Sequence, residues 1–255
     1  MTSWLPAALV GLGAGILSGA FGIGGGVVTT PAIRMLLGYP ELIAVGTPLP
    51  VILPTAIAGA VAHVRQGTAD IRTGLIVGAW GVPASVAGAL LTRLVGGTVV
   101  LIITAGLVIV VAIDMVRPRT PASRVPADPE PGARRRIGLA AIGLTAGAYS
   151  GFLGLGGGFV LVPLFNRLLG FPIKRAIGTS LVALALFAVP GSLTHLWLGN
   201  IDVPLALALT IGVVPGAFIG ARFNSAASER TIRTLFALML ASVGILLGLY
   251  ELGVV

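Results

Sequence analysis

Two short strings of glycine carry most of the chemistry this sequence offers. Gly22-Ile23-Gly24-Gly25-Gly26 recurs as Gly154-Leu155-Gly156-Gly157-Gly158. Glycine admits φ > 0 and lets backbone N–H groups approach a ligand with no Cβ in the way. Each string runs into an apolar segment that reads as a helix. The first N–H groups of a helix lack internal partners and favour an anion. The functional reading is one anion held between two helix starts by Gly24, Gly25, Gly26, Gly156, Gly157 and Gly158. The plainer reading is a tight turn between closely packed helices. No Gly-Lys-Ser/Thr follows either string, which excludes a nucleotide phosphate loop.

A second repeated element is Gly46-Thr47-Pro48-Leu49, mirrored by Gly178-Thr179-Ser180-Leu181. Thr before Pro reads as a helix start with Thr47 as its cap, and Thr179 or Ser180 would cap the second copy. Thr47, Thr179 and Ser180 are therefore candidates to donate hydroxyls to the same anion. Two histidines, His63 and His195, lie near the end of the segments that follow. A histidine inside a membrane protein can move a proton near neutral pH, and it can equally hydrogen-bond a helix end. Asp70 and Asp202 follow in short polar loops and read as helix N-caps. The chain has no cysteine, two histidines and eight carboxylates. Neither a catalytic cluster, a metal centre nor a cofactor site is expected.

These elements sit in a chain of 255 residues that is 56% hydrophobic and 9% charged, with a mean hydropathy of +1.06. An ordinary soluble domain carries roughly 25% charged residues. So little charge cannot cover a water-exposed surface, and the apolar runs are continuous where a membrane barrel would alternate. The expectation is an all-α polytopic membrane protein in contact with the lipid bilayer. A net charge of +8 could suggest nucleic acid, but six of the sixteen basic residues lie between Arg117 and Arg136. That stretch reads as a cytoplasmic loop, so no nucleic-acid partner is expected.

The chain is one unit written twice, at a constant offset and without a gap. The offset pairs Ser18 with Ser150, Pro31 with Pro163, His63 with His195, Asp70 with Asp202 and Pro83 with Pro215. Residues 1–116 form the first repeat, 117–136 an Arg/Pro-rich cytoplasmic linker, and 137–255 the second repeat. Apolar segments are expected at 4–20, 25–38, 48–64, 72–93 and 98–116, then at 137–152, 157–170, 180–197, 203–222 and 231–250. Met1 to Trp4 has no basic leader region, so 4–20 is expected to be a membrane segment and not a cleaved signal.

Five segments per half invert the second repeat relative to the first. With the linker inside, only Arg34 and Arg93 of the sixteen basic residues fall outside, as the positive-inside rule requires. Both termini then lie outside. The second segment of each half, at about 14 residues or ~21 Å, is short of the ~30 Å hydrocarbon core. Each Gly-rich pair either crosses and returns or forms a re-entrant hairpin. Glycines every fourth residue, Gly11/Gly15/Gly19 and Gly143/Gly147/Gly151, read as close helix packing.

The Gly-rich turns with Pro31 and Pro163, together with the Gly-Thr-x-Leu elements, resemble the TauE/SafE family of membrane permeases, often described as sulfite or sulfonate exporters. The resemblance covers about residues 5–250. It implies an inner-membrane secondary transporter of a small anion, with sulfite or an organosulfonate as substrate and outward movement by alternating access. An anion channel, an importer of sulfur oxyanions and a non-transport membrane scaffold are the alternatives. A homodimer is compatible with the sequence. Pro48 stands where the second half has Ser180, so the two half-sites would be unequal.

Overall fold

A computed structural model describes residues 4–116 and 133–254. All regular structure among them is helical. The helices are α1 (Trp4–Phe21), α2 (Gly26–Pro31), α3 (Glu41–Gly46), α4 (Pro48–Arg65), α5 (Ile71–Val95), α6 (Gly97–Val116), α7 (Ala133–Leu153), α8 (Gly158–Leu168), α9 (Ile173–Trp197), α10 (Val203–Ala226) and α11 (Glu229–Glu251). After Pro31, which has no N–H to donate, α2 continues without a break as a wider π-helical segment, Ala32–Leu36. Together the two stretches match α8 in length. Most of the linker lies outside the described residues. Helix α7 begins at Ala133, so Arg134 to Arg136 belong to a helix and not to the connection.

Among the described residues, seven helices are long and apolar enough to cross a membrane: α1, α3 with α4, α5, α6, α9, α10 and α11. Their outward faces carry large apolar side chains, among them Leu94 (82% exposed), Val110, Ile211 and Leu238. Such a surface is matched to hydrocarbon, not to water. Helix α8 has 11 residues, about half the length needed to span.

One sequence expectation is corrected. Thr47 does stand just before α4, with Pro48 as its first residue, although its hydroxyl makes no cap bond; Thr179 and Ser180 lie inside α9 and start no helix. The chain is helical through Glu41–Arg65 but for a turn at Thr47, and α9 is continuous from Ile173. The start of α9 lies earlier, after Pro172, and the short α3 that leads into α4 starts after Pro40. Thr47 N–H bonds the Ile43 carbonyl (3.0 Å) and keeps the chain winding.

Each half packs mainly on the other. Helix α1 runs along α10 and α7 along α5, the two most extensive helix pairs. Glycine permits both. A Cβ on Gly11, Gly15 or Gly19 would strike the α10 backbone at Leu209, Val213 or Ala217. One on Gly143, Gly147 or Gly151 would strike α5 at Val77, Gly81 or Ser85. Small residues at four-residue spacing bring the backbones together where no hydrophobic effect between helices is available.

Candidate functional site

The two glycine turns meet each other. A Cβ on Gly26 would lie 2.6 Å from the Leu155 carbonyl carbon, and one on Gly158 would lie 2.8 Å from the Ile23 Cα. Ile52 and Leu184, themselves equivalent positions of the two repeats, fill the space beside them. Ile52 approaches the Cβ positions of Gly24 and Gly156, and Leu184 those of Gly24 and Gly158. Gly24, Gly25, Gly156 and Gly157 all have positive φ, between 68° and 87°, so the turns need glycine. Gly25 and Gly157 are the residues before α2 and α8 and have left-handed backbone.

Both turns are wholly buried. The first hydrogen bonds of the short helices come from Val28 and Val160, to the Gly25 and Gly157 carbonyls. Among the described residues no acceptor meets the N–H groups of Gly24, Gly25, Gly26 and Val27, or of Gly156, Gly157, Gly158 and Phe159. Buried N–H groups are rarely left unpaired.

The carbonyls that end α1 and α7 are better provided for. His63 Nε2 donates to Gly19 O (2.9 Å) and His195 Nε2 to Gly151 O (2.8 Å). Asn224 Nδ2 donates to Ala20 O (2.7 Å) and Thr92 Oγ1 to Phe152 O (2.9 Å). The second nitrogen of each histidine is also occupied: His63 Nδ1 by Thr68 Oγ1 (2.9 Å), His195 Nδ1 by Asn200 Nδ2 (3.3 Å). Thr68 and Asn200 are again equivalent positions of the two repeats.

The hydroxyls of the Gly-Thr elements hold the opposite half. Thr179 Oγ1 accepts from Asp70 N–H (3.0 Å) and Thr47 Oγ1 from Asp202 N–H (3.0 Å). Asp70 and Asp202 cap α5 and α10 by accepting from Thr73 and Leu205 N–H. Burial alone would raise the Asp70 carboxyl, but the Thr73 N–H and the Arg175 guanidinium, 2.7 Å away, outweigh it and hold the group below the usual carboxylate range. Ser180 Oγ donates to Gly22 O (2.8 Å) and so touches the first turn directly. Pro48 has no hydroxyl to offer at the matching position. The structure thus brings Ser180 to the glycine turns and turns the hydroxyls of Thr47 and Thr179 toward loops. Sequence reading missed Ile52 and Leu184, whose apolar type gave no signal, and Thr92 and Asn224, whose differing identities hide their shared role.

Paired half-length helices meeting end to end inside a polytopic helical membrane protein are a feature of membrane transporters. The sequence model of the family described as "Sulfite exporter TauE/SafE" matches residues 7–247, and the chain belongs to that family. It is 29% identical to the probable membrane transporter protein YunE of Bacillus subtilis, covering 95% of this chain and 96% of the relative. It is 28% identical to a probable membrane transporter protein of Xylella fastidiosa, over 93% and 90%. It is 25% identical to the probable membrane transporter protein MJ0441 of Methanocaldococcus jannaschii, over 93% and 92%. No solved structure gives a significant match. The protein is a membrane transporter for a small molecule, not an enzyme.

Proposed function

We propose that the transporter exports a small sulfur oxyanion, sulfite or an organosulfonate, bound where the two glycine turns meet. The observation that carries this reading is the set of unpaired, buried N–H groups at the starts of α2 and α8. Such N–H groups suit an anion that must also leave. A buried arginine would hold it too tightly and carries a high desolvation cost in a membrane.

In this reading each α1–α2 and α7–α8 pair is a re-entrant hairpin, because α8 and its counterpart are half-length and the tips abut. The halves are inverted about that contact. The linker is cytoplasmic, the membrane is the bacterial inner membrane and both termini are outside. Reciprocal contacts across the halves support an exchange-symmetric pair. Ile52 and Leu184 close the site in the state described, and rocking of one half on the other opens it to either side. A coupling proton would sit on Nδ1 of His63 or His195, with Nε2 kept on its carbonyl. The Thr68 hydroxyl can accept from it, and the Asn200 amide can do so after turning over.

The test is efflux from proteoliposomes loaded with sulfite, under imposed pH and anion gradients. Saturable, gradient-coupled flux is expected. Non-saturating, gradient-independent flux would make the protein a channel, net inward coupling an importer, and no flux of any sulfur oxyanion would overturn the reading. The native chain has no cysteine, so single cysteines introduced at Ser228 and Leu252 report sidedness without background.

A further inference from the structure

Almost every polar side chain that has a counterpart in the other half and borders the glycine turns is committed to a hydrogen bond. His63 and His195, and Thr92 and Asn224, donate to carbonyls at the ends of α1 and α7. The exceptions are Ser18 and Ser150. Both are 0% exposed, and neither hydroxyl has a partner among the described residues. They are equivalent positions of the two repeats and occupy the last turn of α1 and of α7, where their carbonyls accept from Gly22 and Gly154 N–H. Ser150 Cβ lies 3.4 Å from where a Cβ on Gly157 would stand, beside the start of α8.

A helical serine or threonine ordinarily gives its proton to the carbonyl four residues back. Thr29, Thr55, Ser192 and Thr210 do so here. Ser18 and Ser150 do not. Thr30 is also buried and unpaired, but Val162 stands at its place in the second half, so it is a one-sided feature.

We propose that the Ser18 and Ser150 hydroxyls are the side-chain donors to the transported anion, and that with the N–H groups of α2 and α8 they form an uncharged site selective for a singly charged oxyanion. This rests on the anion reading above. The selectivity follows from charge. The cost of taking an ion from water grows with the square of its charge, about fourfold from monoanion to dianion, while fixed neutral dipoles return energy only in proportion to charge. Methanesulfonate and hydrogensulfite should bind, and sulfate, of similar size, should not.

The experiment compares wild type with Ser18→Ala, Ser150→Ala and the double variant, using flux into proteoliposomes and ligand-induced thermal shifts with methanesulfonate and sulfate. Each single variant should unfold at or above the wild-type temperature, because it removes an unpaired buried hydroxyl, and should raise the half-saturating methanesulfonate concentration about tenfold. A lowered unfolding temperature would assign the serines a structural bond and overturn the proposal. So would a folded double variant with wild-type half-saturation, or sulfate binding as tightly as methanesulfonate. Ser18→Cys and Ser150→Cys keep the volume and lose the strong donor, and they repeat the test if alanine disturbs packing. Wild type that moves no oxyanion defeats the underlying reading; active wild type with indifferent variants defeats this proposal alone.

Discussion

His63 Nε2 lies 2.9 Å from the carbonyl oxygen of Gly19, and the same bond recurs between His195 and Gly151 at 2.8 Å. Each carbonyl belongs to the last turn of its helix, so it has no helical N–H of its own. A carbonyl can only accept, which places a proton on both Nε2 atoms. Asn200 Nδ2 can only donate, which leaves His195 Nδ1 unprotonated in this arrangement. The histidines therefore fix where α1 and α7 end, and with that the position of each glycine turn.

His63→Ala and His195→Ala should each cost about 1–2 kcal/mol, since a buried carbonyl is left unpaired. Gln, whose amide can still donate, should recover most of that in thermal unfolding of the detergent-solubilised protein. If the histidines also carry the coupling proton, the Gln variants will fold normally and lose the pH dependence of flux. Unchanged pH dependence would leave them as helix caps.

Glycine substitutions should divide by what surrounds each residue. Gly26→Ala and Gly158→Ala drive a Cβ into the backbone of the opposite turn and should cost about 3 kcal/mol or more, since backbone cannot give way as a side chain does. Gly25→Ala meets nothing closer than 3.6 Å, but φ is +87°, so strain alone should cost about 1–2 kcal/mol. It is thus the better probe of binding. Gly13 and Gly106 have nothing within 4 Å, and Ala there should stabilise by up to about 1 kcal/mol. Apparent unfolding temperatures of the set would show this order, and a destabilised Gly13→Ala would contradict it.

Much of this arrangement was legible because the chain repeats its rare residues. The constant offset between the halves pointed to the glycine turns, and Asp70 and Asp202 read correctly as caps. The Thr179 signal misled because local start chemistry was overridden by a helix packed along its length against the other half, whereas Thr47 does precede α4 but caps it with no side-chain bond. Ile52, Leu184, Thr92 and Asn224 were invisible for a different reason. Their roles depend on which backbone lies across the interface between halves, and neither hydropathy nor spacing encodes that partner.

Acid should weaken the Asp70 loop. Its folded value is depressed, so it adds stability above the unfolded carboxylate value near ~4, and that stability is lost as pH falls through the lower folded value. Asp70→Asn keeps a competent cap and removes the charge facing Arg175. The variant should be slightly less stable at pH 7, and its unfolding temperature should fall less steeply than wild type below about pH 4. Parallel pH profiles would show that the Arg175 pair contributes nothing.

Arg34 joins the π-helical end of the first short helix to the end of α11. Its Nε donates to Glu251 (2.7 Å), one terminal nitrogen to Glu41 (2.6 Å) and the other to Tyr39 O (3.2 Å), with the Tyr250 ring 5.4 Å away. In the second half, Asn166 takes the matching position and donates to Phe171 O (2.7 Å), while the neighbouring Arg167 pairs with Asp114 of α6. Each short helix is thus tied to the last helix of the opposite half. The Glu251 side chain is only 2% exposed, so removing Arg34 strands a buried carboxylate. Arg34→Ala should cost about 3–5 kcal/mol, and a paired Arg34→Met, Glu251→Met variant should recover most of it, because both charges then leave together. Arg167→Ala, whose side chain is 49% exposed, should cost about 1 kcal/mol or less. Unfolding temperatures of the four proteins test the ranking, and equal losses for Arg34→Ala and Arg167→Ala would refute it.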